Sequence, residues 1–168
     1  MQGFTGSHNP LLVNYFEFIM DRVPNMTYFC QTANLPGLGM GSVEQPTIFG
    51  VPINQPSGAI RFENLQITFK VDENLSNWLE IYNWIRRSGN LGEDCTPPFS
   101  YQEKVESGGT LLITNSTYRP KIKISFKNLF PVSLSGIQFT SVLPDSMEAV
   151  ATATFTYTSH KAEILVNP

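Results

Sequence analysis

The alternation of apolar and polar residues is cleanest between residues 61 and 89, and it changes period once inside that stretch. Leu65, Ile67, Phe69 and Val71 point one way while Gln66, Thr68 and Lys70 point the other, the period of two that a half-buried strand requires. From Asp72-Glu73-Asn74 onward, Leu75, Trp78, Leu79, Tyr82 and Ile85 recur at three- and four-residue steps, the spacing of one helical face. Asp72 or Asn74 can cap the helix start by accepting backbone N–H bonds. Arg86 and Arg87 suit the negative end of the helix dipole, and Gly89 suits a left-handed stop. The pattern predicts a strand feeding one amphipathic helix, with Trp78 on the buried stripe and Trp84 beside it. No second helix of that quality stands out in the sequence.

Elsewhere the pattern predicts strands. Residues 14–20 (NYFEFIM) and 26–35 (MTYFCQTANL), joined by a turn at Arg22-Val23-Pro24-Asn25, suggest an antiparallel hairpin. Strands follow at 110–115 and at 121–127, where Ile122, Ile124 and Phe126 alternate with lysines and Ser125. A turn at Asn128-Leu129-Phe130-Pro131 leads to a strand over 137–143. In the last strand, 148–158, Ala149, Ala151, Ala153, Phe155 and Tyr157 face away from Val150, Thr152, Thr154, Thr156 and Thr158. Residues 1–13 and 159–168 are expected to be terminal arms. The sum is a single domain over 1–168, mainly β: an antiparallel β-sandwich or partial barrel with one flanking α-helix.

Two segments break this order. Residues 36–60 are rich in proline and glycine, which interrupt regular structure, yet they also carry Leu38, Met40, Val43, Ile48, Phe49, Val51 and Ile53. Such a segment is either a long hairpin folded onto its own core or an arm whose apolar side chains another molecule covers. Residues 89–109 form a loop long enough to be functional or mobile.

Composition narrows the picture. At 168 residues, 41% apolar and 15% charged, the chain can bury a core and is not generally disordered. A formal charge of −3 gives no basis for tight nucleic-acid binding. The opening MQGFTGSHNP has neither a basic region nor an apolar run, so no signal peptide is expected, and no apolar run is long enough to span a membrane.

The search for chemistry ends without a site. Cys30 and Cys95 read most simply as reduced thiols, although a disulfide needs geometry to decide. His8 and His160 lie near opposite ends and neither neighbours a cysteine, which argues against a metal site or a catalytic triad. Gly37-Leu38-Gly39-Met40-Gly41 superficially resembles a phosphate-binding turn, but Glu44, Gln45 and Pro46 follow it in place of a helix start. Asp72-Glu73 is explained by capping. Nothing in the sequence argues for an enzyme or a cofactor.

The sequence does resemble a family. Phe29-Cys30-Gln31-Thr32-Ala33-Asn34-Leu35-Pro36-Gly37, a strand ending in Ala-x-Leu-Pro-Gly, is similar to the tail tube proteins of contractile-tailed, T-even-like bacteriophages. So are the arm bearing Pro46, Gly50 and Ile53, the aromatic Phe62, and the strand ending Val71-Asp72-Glu73 before a helix with Trp84. The strand and turn of Ile124 to Pro131 and the alternating last strand extend the likeness over about 14–158. The chain departs from the pattern by running on past Tyr157 to Pro168.

The resemblance implies a structural virion protein. Six copies would close a ring by pairing sheet edges, and rings would stack head to tail into the rigid inner tube of a contractile tail, the conduit for DNA ejection. It implies sheath protein outside, baseplate and tail-terminator proteins at the ends, passage of DNA without specific binding, and no stable membrane association. It places the protein in the virion tail after assembly in the host cytoplasm. Leu38, Met40, Val43, Ile48, Phe49 and Val51 would then contact the adjoining ring. Thr152, Thr154, Thr156 and Thr158 would line the lumen, or form an ordinary solvent face. A baseplate-proximal ring, a related injection-system tube, and a monomeric β-sandwich ligand-binding module are the alternatives.

Overall fold

The structure, a computed structural model, describes residues 11–48, 50–89, 106–142 and 147–165. Phe49, Cys95, His8 and most of the 89–109 loop lie outside the described residues, as do the ends of both terminal arms. The elements in order are β1 (Phe16–Met20), α1 (Asn25–Phe29), β2 (Cys30–Ala33), β3 (Leu38–Gln45), β4 (Ile53–Phe62) and β5 (Leu65–Lys70). Then come α2 (Ser76–Ser88), β6 (Ser107–Thr114), β7 (Pro120–Leu134), β8 (Val150–Thr156) and β9 (Ser159–Ile164).

Seven strands form one antiparallel sheet that divides at β7. The first half of β7 lies between β6 and β9, with β1 outside β6. Its second half pairs β8, followed by β5 and then β2. The inward faces of the two halves make one core. Phe18, Met20, Leu111, Ile124 and Phe126 come from the first, and Leu65, Ile67, Phe69, Ala151, Ala153 and Phe155 from the second. Strict alternation drives this arrangement: β5 and β8 each bury every second residue, as the period of two demands. The mainly β fold is therefore as the pattern predicts.

α2 is present, but its start and its buried face differ from the sequence expectation. It begins at Ser76 after Leu75, which sits in the left-handed region (φ 58°), and no side chain caps it. Asn77 does the local work instead. It is completely buried, donates from Nδ2 to the Lys70 carbonyl (2.9 Å), and accepts the Asp72 N–H at Oδ1 (3.2 Å). The clamp rotates the helix so that Asn77, Ile81 and Trp84 are buried, while Leu79 and Tyr82 are exposed. Trp84 is thus the core tryptophan, 6.3 Å from Phe155, with the Arg22 guanidinium 5.1 Å from its ring centre. Trp78 is only partly buried; it stacks on Tyr82 and donates from Nε1 to the Ser135 carbonyl.

Four other expectations are corrected. Residues 25–29 form the short helix α1, stabilised locally by Met26 N–H to Val23 and Thr27 N–H to Pro24 carbonyl bonds, before the expected strand starts at Cys30. Asn128 to Pro131 does not end a strand: β7 runs through it, with Asn128 in the left-handed region (φ 56°) and a register shift after Pro131. Residues 137–142 carry no strand. The expected tail contains β9, which prolongs β8 along the same side of β7.

Candidate assembly surfaces

β3 and β4 form a two-stranded hairpin that continues the sheet without belonging to its core. Ala33 pairs Ile67 in the sheet, the Asn34 N–H reaches the Gln66 carbonyl, the Glu63 N–H reaches the Gly37 carbonyl, and Leu38 pairs Phe62 in the arm. The register is unbroken from Thr32–Thr68 to Met40–Ile60 and slips once, between Met40 and Ser42. β2 and β5 are therefore the root of a single long ribbon whose far half projects. Within that half every residue of β3 and β4 is exposed except Phe62. Phe62 anchors the base against Tyr157 (5.8 Å) and His160 (5.2 Å).

Five of the six arm residues named from the sequence lie here. Leu38, Met40, Val43, Ile48 and Val51 are between 57% and 101% exposed; Phe49 falls outside the described residues. The register also groups them. Leu38 and Met40 stand opposite Phe62 and Ile60, while Val43 and Gln45 stand opposite Gln55 and Ile53. Exposed Ile53 and Ile60 therefore complete the apolar surface. The sequence carried their apolar character but not the pairing that brings Ile60 beside Met40.

The second surface is the outer face of the β7–β8–β5–β2 sheet. Thr152 lies opposite Thr68, which lies opposite Thr32; the Thr68 and Thr152 hydroxyls are 3.2 Å apart. Thr154 stands between Gln66 and Ser133, and the Thr156 hydroxyl donates to the Asn64 side-chain oxygen. These three threonines are half-buried and form a polar, uncharged row. Charge enters at one end, where Lys70 pairs with Glu148. Thr158 leaves the row: it sits in the link between β8 and β9, and its hydroxyl accepts from Asn128 Nδ2.

Both edges of this sheet, β2 and the second half of β7, have no strand partner among the described residues. Beside the β2 edge, an open apolar groove of about 180 Å³ is lined by Leu12, Phe16, Ala33, Leu35, Leu111 and Ile113 among others. Among the described residues the titratable groups give no reactive centre. Burial pushes the free Cys30 thiol up to about 11, so it stays protonated near neutral pH. Burial, and then Glu63, raises the Tyr157 phenol. Among the described residues no group of His, Cys, Asp and Glu could hold a metal ion, and no helix is long and apolar enough to cross a membrane.

The fold, an antiparallel sandwich with a flanking helix, is shared with chains of contractile machines. The tube of an extracellular contractile injection system, solved as a PVC sheath–tube complex, superposes with a TM-score of 0.67 at 16% identity, over 94% of each chain. The tube-terminating cap of the anti-feeding prophage gives 0.68 at 15% identity over 95% of each chain. A chain of the anti-feeding prophage baseplate gives 0.61 at 10% identity, over 94% of this chain and 97% of its own. No curated protein matches the sequence. The family model described as phage tail tube protein matches residues 8–163, and the chain belongs to that family.

Proposed function

We propose that this protein is the repeating subunit of the rigid inner tube of a contractile phage tail, with six copies closing each ring and rings stacking into a conduit for DNA. The observation that carries the reading is the arm, a hairpin in register with the sheet whose apolar residues find no cover among the described residues of one copy. Exposed apolar side chains grouped in this way mark a surface that a partner covers. The open edges of β2 and β7, with the apolar groove beside β2, suit lateral pairing between copies.

In this reading the Thr152, Thr154 and Thr156 face lines the lumen. Uncharged hydroxyls offer no cations to neutralise phosphates, so the counterion release that drives non-specific retention of DNA is missing and DNA passes without being retained. Sheath protein surrounds the tube, baseplate and terminator proteins close its ends, and the virion tail is its place after assembly in the host cytoplasm. The similar TM-scores of the tube and cap structures favour one further reading, a ring at an end of the tube or a tube of a related injection system. A monomeric ligand-binding module leaves the arm uncovered and is not favoured.

Negative-stain electron microscopy across a concentration series tests the proposal. Six-fold rings or hollow filaments are expected. Monomers at every concentration, with their arms intact, would count against it.

A further inference from the structure

The arm joins the body through a gap in its own ladder. Residues 34–37 and 63–64 carry no strand. Two backbone bonds cross there, from the Asn34 N–H to the Gln66 carbonyl and from the Glu63 N–H to the Gly37 carbonyl. Side chains of the same stretch add to them: the Glu63 carboxylate accepts the Gly37 N–H (3.2 Å), and the Asn34 amide bonds Asn64 and Gln66. Beyond the gap, Phe62 is the one residue of β3 and β4 that is not exposed, and its ring meets Tyr157 and His160. Tyr157 lies in the link between β8 and β9, and His160 is the second residue of β9. The ring contacts that hold the arm therefore gather at the start of one strand. That strand is itself lightly held. β7 is its one strand partner among the described residues, and its last four residues, Lys161 to Ile164, are all exposed. Its side-chain anchor is His160, which stands opposite Phe126 in register (rings 5.9 Å apart), with its Nδ1 3.3 Å from the Tyr157 hydroxyl.

We propose that β9 is a strap that steadies the arm: zipped to β7 it seats Phe62 against His160, and peeled away it lets the arm swing on the gap at residues 34–37 and 63–64. The coupling lies within one copy and needs no ring. An edge strand with few buried contacts opens at much lower cost than the core it borders. Opening carries His160 away from Phe62. Tyr157, fixed by Phe126 at 5.1 Å, is then the ring contact left to the arm. One imidazole thus serves two elements that the core does not need, since neither the arm nor β9 contributes a fully buried side chain. Coupling of this kind is reciprocal. A partner that holds the arm still also holds β9 down, and one that draws β9 off β7 frees the arm.

Amide hydrogen exchange of the full chain, resolved by residue with NMR in dilute solution, tests the coupling. His160→Ala should speed exchange in β9 and also in the arm root, residues 38–40 and 60–62. The expected factor is roughly 2- to 10-fold, the range that one aromatic pair supports, with residues 67–69 of β5 unchanged as the core reference. Phe62→Ala, a change in the arm alone, should speed exchange in β9 by a similar factor. A His160→Ala chain that loosens β9 and leaves the arm at the wild-type rate would overturn the inference. So would a Phe62→Ala chain with β9 unchanged, or an equal acceleration at residues 67–69, which marks general loss of stability in place of a strap.

Discussion

Asn77 is where removing one side chain should cost most per atom. Replacing it with alanine leaves the Lys70 carbonyl and the Asp72 N–H without their partners at 2.9 and 3.2 Å, in the turn that joins β5 to α2. A buried polar group left unsatisfied costs about 1–3 kcal/mol. Lys70 and Asp72 are themselves only half-buried, so water can recover part of the loss and the lower part of that range applies to each. The expected total is about 2–3 kcal/mol for Asn77→Ala. With a urea m-value of about 2 kcal/mol/M, the unfolding midpoint should fall by roughly 1–1.5 M at unchanged m. Asp72→Ala and Asn74→Ala are the controls. Either side chain could cap the helix by sequence logic, yet α2 has no side-chain cap, so each should shift stability by less than about 0.5 kcal/mol. A small effect of Asn77→Ala together with a loss above about 1 kcal/mol for Asp72→Ala would refute the clamp and restore an ordinary N-cap.

Other perturbations separate core, turn, thiol and hydroxyl face. Phe155→Ala removes a fully buried ring in contact with Trp84 and should cost about 3–5 kcal/mol by denaturant titration. Asn115→Ala removes the oxygen that accepts from the Thr117 N–H, the Thr117 hydroxyl and the Arg119 N–H, and should cost about 1 kcal/mol in the same assay. The Cys30 thiol has a folded pKa of about 11 against 9.0 when free, so the unfolded chain releases its proton first. Its contribution to stability is therefore complete below pH 9 and declines as pH rises toward 11, which midpoints measured between pH 8 and 11 in a Cys95→Ser background would follow. On the proposed tube reading, Thr154→Lys places one cation per copy on the hydroxyl face; tubes should still assemble, while DNA release from virions slows as salt is lowered.

How far the sequence could be read depended on which forces were local. β5 and β8 were legible because half-burial writes a period of two directly into Leu65–Ile67–Phe69 and Ala151–Ala153–Phe155. The helix was legible, but its rotation was not. Leu79 and Tyr82 are apolar and helically spaced, yet the buried face is decided by a polar residue, Asn77, whose value appears only once β5 ends beside it. β9 was missed because Lys161 and Glu163 make a polar strand whose reason to exist is its partner β7, and they pair with each other at the surface (2.8 Å). α1 was missed for the opposite reason: Met26-Thr27-Tyr28-Phe29 has strand-like composition, and a turn after Pro24 overrides it. For the assembly surfaces, the apolar arm stood out as a segment too hydrophobic for a loop.

The order β7–β8–β5–β2 has a consequence for closure. Each step along it is antiparallel, and there are three steps, so the two outer strands run in opposite directions. In the ring proposed above, where the β2 edge of one copy would meet the β7 edge of the next, the joint is antiparallel as well. With an even number of strands per copy, direction alternates without interruption around the wall whatever the number of copies. Parity therefore places no limit on the size of the ring; the tilt and twist of the strands must set it.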